Sequence, residues 1–162
     1  MNVSSDRAAR FYLWAWGSML IVLGAGSLLV NPEFGVGDDV TTKHLFGMFE
    51  TNGWHGLAGA LAGVIAVLSA WSHRRVREVA LGVALLAGIV PGVVFLASGD
   101  GSAALGLIPV DVADAISLHV LPGLIGLVCV AIDRRSAESV QDGRVSVTGA
   151  LRRGDRSTSS PR

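Results

Sequence analysis

Four stretches of this chain run eighteen to twenty residues with almost no charge, and the polar residues gather in clusters between them. Residues 11–30 and 79–98 contain no charged side chain. Residues 53–71 carry only the ionisable His55, and residues 115–132 only His119. At roughly 1.5 Å per residue each run is about 27–30 Å long as a helix, the thickness of a bilayer's hydrocarbon core. Backbone polar groups in lipid must be paired internally, which leaves helices or closed barrels. Continuous apolar runs, rather than period-two alternation, select helices. The pattern predicts an all-α integral membrane protein, an antiparallel four-helix bundle with spans at 11–30, 53–71, 79–98 and 115–132. Residues 1–10 form an arm before it and 133–162 a tail after it.

Charge fixes the expected threading. Arg7 and Arg10, then Arg74, Arg75 and Arg77, then seven arginines from Arg134 onward put twelve basic residues on one side. The other two loops hold only Lys43, against seven acids. The positive-inside rule therefore places both termini in the cytoplasm of a bacterial cell membrane, with the first span an uncleaved signal anchor. Phe11, Tyr12, Trp14, Trp16, Trp54 and Trp71 fall near span ends, where amphipathic rings anchor at the headgroups. The tail is rich in Ser, Arg, Gly and Asp, so it is expected to be disordered, its arginines resting on lipid rather than nucleic acid. The loop at 31–52 is expected either to lay a short amphipathic helix on the interface or to dip its apolar residues into the bundle.

Composition narrows the chemistry. Only 16% of residues are charged, the net charge is zero, and the lone Cys129 rules out an internal disulfide. No phosphate-binding Gly loop, HExxH, paired cysteines or GxSxG is present, so no catalytic residue and no metal site is assigned. What stands out instead is smallness. From His55, steps of three and four reach Ala58, Gly59, Ala62, Gly63, Ala66, Ser69 and Ala70, a face on which helix backbones can approach closely. Gly88 and Gly92 flank Pro91 in the third span, while Pro122, Gly123 and Gly126 share a face with His119 in the fourth.

His55 and His119 lie at similar shallow depth, and intramembrane ionisable groups are functional candidates by default. Each follows an acid by five residues, Glu50 and Asp114, and precedes a glycine by four, which reads as a duplicated hairpin. Three uses are open. Each neutral imidazole can fix packing by bonding to a neighbouring helix, the reading that leads because shallow histidines cost little. The pair can ligate haem or a metal. Or it can form a proton- or ligand-responsive cluster with Asn52, Glu50 and Asp114. His44 and His73 are expected to be solvated.

The run from Phe49 to Gly59, Phe-Glu-Thr-Asn-Gly-Trp-His-Gly-Leu-Ala-Gly, resembles the Asn-x-x-His opening of the second span in a family of small four-span membrane proteins. That family is common in actinobacteria and haloarchaea and is of unknown function. The run from Gly106 through Asp114 to His119 and Gly123 resembles the family's Asp-then-His opening of the fourth span. The resemblance covers about residues 11–132. Many members carry a second His where Gly59 stands here, and Asp114 to His119 is one residue wider than the family spacing. Both departures stand against a multi-histidine metal site. The resemblance implies the four-helix architecture and marks Asn52, His55, Asp114 and His119. The expected function is a non-enzymatic accessory or scaffold protein without a cofactor, partnered by the bilayer and by a homo-oligomer or another membrane protein. A haem- or quinone-binding redox subunit and a small oligomeric transporter are the alternatives.

Overall fold

The computed structural model describes residues 6–71 and 75–154, with side chains through residue 139. Helix α1 spans Arg7–Val30 and α2 spans Gly53–Trp71. Helix α3 covers Val76–Ser98 and contains a π-helical stretch at Ala84–Ile89. Helix α4 opens at Val112–Asp114, passes through a second π stretch at Ala115–Val120 and continues over Leu121–Gly154. All four are long and apolar enough to cross a membrane. The expected limits at 30, 53, 71 and 98 coincide with helix ends; α1, α3 and α4 start a few residues earlier.

Helix α4 does not stop at Ile132. The segment expected to be disordered is helical from 133 as far as Gly154, and residues 155–162 lie outside the described set. Composition argued for too little buried surface, but 133–142 has no Pro or Gly and is rich in helix formers. Its first residue, Asp133, is also buried.

The loop at 31–52 is neither of the two expected forms. After a 3-10 turn at Gly37–Asp39 it folds into a β-hairpin, β1 (Lys43–Leu45) against β2 (Phe49–Thr51). The loop before α4 does the same on a smaller scale, β3 (Ala103–Ala104) against β4 (Ile108–Pro109). Their tips match. Phe46-Gly47 and Leu105-Gly106 all take left-handed conformations, with φ of 57°, 71°, 54° and 66°. Met48 N–H donates to Leu45 O at 3.2 Å, and Leu107 N–H to Ala104 O at 3.0 Å. A left-handed Phe or Leu is costly, and the following Gly removes that cost at the second position. Leu45 points inward and is buried against Gly26 of α1.

The chain thus repeats helix, hairpin, helix, but not in the register drawn from the histidines. Both hairpin tips, and the helix caps Asn52 and Asp111 that follow them, recur 59 positions apart. In that register His55 corresponds to Asp114. His119 stands five positions further along, within the second π stretch.

Close helix packing uses glycine on both sides. A Cβ on Gly63 would lie 2.6 Å from Gly17 O, and one on Gly56 would lie 2.9 Å from Gly24 O. Between α3 and α4, a Cβ on Gly88 would meet Gly123 Cα at 2.7 Å, and one on Gly92 would meet Val120 Cγ2 at 2.6 Å. Gly126 lies against Tyr12 and Ala84. The α2 face differs from the predicted one: Gly56 takes part, Ala58 is exposed, and Gly59 makes only ordinary contact at 3.7 Å. The outward residues Leu57, Leu61, Val64, Ile65 and Leu68 are exposed. Tyr12 and Trp16 are not headgroup anchors. Both are buried in the core with Leu13, Val76 and Ala80, while Trp14 and Trp71 pair edge to face at 5.3 Å.

Candidate functional site

The polar residues singled out in the sequence meet at the hairpin end of the helices. Asn52 caps α2: its Oδ1 accepts from His55 N–H at 3.0 Å, three residues into the helix. Its Nδ2 donates to Leu107 O at 2.6 Å, tying α2 to the second hairpin. Asp114 Oδ2 accepts from Glu50 N–H at 2.9 Å, tying the start of α4 to the first hairpin. Asn31, which ends α1, is fully buried and donates from Nδ2 to Thr51 O at 2.9 Å. Each of these side chains has a structural occupation. His44 reaches Glu50 at 3.8 Å but stays half exposed, and His73 lies outside the described residues.

Burial and the neighbouring Asp111, Asp100 and Asp114 raise the Glu50 carboxyl above its ordinary value, burial first, and His44 opposes them. A raised acid binds more protons folded than unfolded, so stability falls as pH rises through the window just above the usual carboxylate range. Glu50→Gln is expected to flatten that part of the stability-against-pH curve. Thermal melts in detergent from pH 4 to 7 check it, and an unchanged slope would count against the effect.

The imidazoles differ from the rest of the cluster. His55 and His119 lie with ring centroids 5.7 Å apart and planes 21° from parallel. Phe95 of α3 stands edge-on to both, at 6.2 Å from His55 and 5.0 Å from His119. His119 is 8% exposed, and its Nδ1 contacts Ala87 O at 3.0 Å. That contact has a cause in the sequence. Pro91 has no N–H for the carbonyl four residues back, which is Ala87, and the chain there winds as a π-helix. A carbonyl can only accept, so Nδ1 carries the proton, and in the neutral ring Nε2 is left as a lone pair. Among the described residues this Nε2 is buried without a hydrogen-bond partner, as is Nδ1 of His55.

Two cavities adjoin the pair, and His55, His119, Leu20 and Gly59 border both. One of about 40 Å³ opens toward Trp16, Ser27, Glu50 and Thr51. The other, about 140 Å³, runs between α2 and α3 past Ala58, Leu86, Pro91 and Phe95. Ala58 therefore lines space rather than a helix contact. Among the described residues no group of three or more His, Cys, Asp or Glu side chains is placed to hold a metal ion. Sequence reasoning missed Phe95, Trp16 and the Ala87 carbonyl. Only Pro91 signalled the last of these.

Fold and site together define a helical protein with four candidate membrane spans and a buried imidazole pair beside apolar cavities. Residues 30–132 match a family model described as a domain of unknown function, DUF4383, and the chain belongs to that family. Neither the curated proteins nor the solved structures give a match.

Proposed function

We propose that this chain is an antiparallel four-helix bundle of the bacterial cytoplasmic membrane, with both termini inside, and that it is a non-enzymatic accessory protein whose imidazole pair binds a small ligand. The threading rests on twelve basic residues gathered on one side against a single Lys43 on the other. One observation carries the ligand site: His119 is held by Nδ1 while its buried Nε2 has no partner. Leaving a buried acceptor unpaired costs about 1–3 kcal/mol. Packing alone would favour an apolar side chain at that position. Asn52, Glu50 and Asp114 organise the hairpin end and leave the histidines for the ligand. Haem fits poorly against the imidazoles, because the cavities of about 40 and 140 Å³ that border both rings fall below the ~300 Å³ at which pockets begin to enclose large ligands, and the neighbouring cavity of about 270 Å³ touches neither histidine.

The test is extraction and mass spectrometry of protein purified in mild detergent, beside His119→Asn. The asparagine amide can still donate to Ala87 O, while its acceptor oxygen stands one bond short of the position of Nε2. A molecule bound near one-to-one in the wild type and lost from a folded His119→Asn supports the proposal. Equal ligand content in the two proteins, or none in either, would make His119 a packing residue.

A further inference from the structure

We infer that the cleft between α2 and α3 binds a membrane amphiphile with a hydroxylated aromatic ring as its head and a long apolar chain as its tail, a prenylated quinol drawn sideways from the bilayer. This rests on the imidazole pair being a ligand site and supplies the chemical class of the ligand.

The head follows from hydrogen-bond polarity. Nδ1–H of His119 is committed to Ala87 O, so the unpaired Nε2 can only accept. A ring hydroxyl satisfies it; a quinone carbonyl, which also only accepts, does not. Flat surroundings favour a ring. His55 and His119 lie nearly parallel, and Phe95 closes the corner edge-on, an arrangement that offers both a face and an edge to an incoming aromatic. The cavity of about 140 Å³ beside them takes a head group and no more.

The tail follows from continuity. A second open cavity of about 270 Å³ lies further along α2 and α3 and shares Ala62, Leu86 and Ala87 with the first. Its remaining walls are Ile65, Val79, Gly82 and Val83, without a polar side chain. From Phe95 to Val79 the two neighbouring cavities together follow α3 for about 24 Å, at 1.5 Å per residue, most of a hydrocarbon core. Leu86, at the junction, is 74% exposed, so the cleft is reached from the lipid side. An apolar chain leaving lipid gains little from the hydrophobic effect. The cleft therefore sets which chain fits, and the hydroxyl-to-Nε2 bond sets which head is held.

Gly82 allows a clean test, because a Cβ added there meets nothing within 4 Å. Gly82→Phe is expected to project its ring into the tail cleft, whose walls include Gly82 and neither histidine. Binding of a long-chain prenylated hydroquinone, its dimethyl ether and the tail-less methylhydroquinone is measured anaerobically in phospholipid nanodiscs. The comparison covers wild type, Gly82→Phe and His119→Asn. Wild type is expected to hold the long-chain quinol at least about tenfold more tightly than the ether, which has no donor. Gly82→Phe should lose the long-chain quinol but keep the tail-less one, and His119→Asn should lose both. Undiminished long-chain binding in Gly82→Phe, equal binding of quinol and ether, or no binding by wild type would overturn the quinol assignment and leave the ligand site standing. Full binding of both quinols by His119→Asn would instead overturn the ligand site itself.

Discussion

Alanine at Gly24 or at Gly63 is expected to destabilise the protein by about 1–3 kcal/mol each, the range for overpacking a filled interior. The added methyl on Gly24 would run into Ala60 N and lie 2.7 Å from Gly56 O; on Gly63 it would lie 2.6 Å from Gly17 O and 2.7 Å from Ile21 N. These neighbours are backbone atoms of a facing helix. They cannot turn away as a flexible side chain can, so α1 and α2 must separate along their contact. In lipid that contact is held by close packing, because lipid tails are as apolar as the helices. Two control glycines separate sterics from a general effect of replacing glycine. Gly59→Ala would place its methyl in ordinary contact at 3.7 Å, and Gly82→Ala meets nothing. Both are expected to be neutral or to gain up to about 1 kcal/mol from helix propensity. Unfolding in mixed micelles measures all four. If Gly24→Ala and Gly63→Ala behave like Gly82→Ala, the α1–α2 contact is looser than described. The double variant should cost less than the sum of the singles, because one separation relieves both clashes.

The glycine series also marks where the sequence could and could not be read. A stripe of small residues on α2 was legible, but its direction was not. Ala58 and Gly56 lie two positions apart, and only the facing Gly24 and Leu28 decide that Gly56 is inside. Four of the eight helix limits were legible because the apolar runs stop at Asn31, Asn52, Ser72 and Gly99, whereas the starts of α1, α3 and α4 and the end of α4 lie beyond their apolar runs. The hairpins were not. Phe46 and Leu105 adopt left-handed conformations against their own preference, and a single glycine after each is a faint signal. At the site, the residue types Asn52, Glu50, His55, Asp114 and His119 were legible as a group, because burying such side chains near a span end is costly. Which of them are occupied was not. Asn52 and Asp114 spend their acceptors on the backbone amides of His55 and Glu50, pairings that depend on the hairpin geometry. The decisive partner of His119 is a carbonyl, which no side-chain pattern displays. Pro91 announces it four residues late.

Removing the Asp133 carboxylate is expected to cost as much as a packing glycine, at the other end of the molecule. Asp6 stands at the cap position of α1 but makes no capping bond with its side chain. The first turn is closed instead from α4: Ala8 N–H donates to Asp133 Oδ1 at 3.2 Å and Ala9 N–H to Oδ2 at 2.8 Å. Asp133 is 4% exposed, so these amides have little water to fall back on. A carboxylate at a helix N-terminus also meets the positive end of the helix dipole, worth up to about 2 kcal/mol when partly buried. The same end of α1 is tied to α3 by the Arg77–Asp6 ion pair at 3.1 Å and to α2 by Arg10, which donates to Ala70 O. Asp133→Asn keeps one acceptor oxygen and loses the charge, so it should cost about 1 kcal/mol. Asp133→Ala leaves the buried Ala9 amide and the part-buried Ala8 amide without their carboxylate and should cost about 2–3 kcal/mol. Because the defect is local, faster hydrogen exchange should begin at Ala8 and Ala9 and fade within a turn or two, while α2 amides near Asn52 keep their protection. Unchanged exchange at Ala8 and Ala9 in Asp133→Ala would mean that the first turn of α1 is held by Arg10 and Asp6 without help from α4.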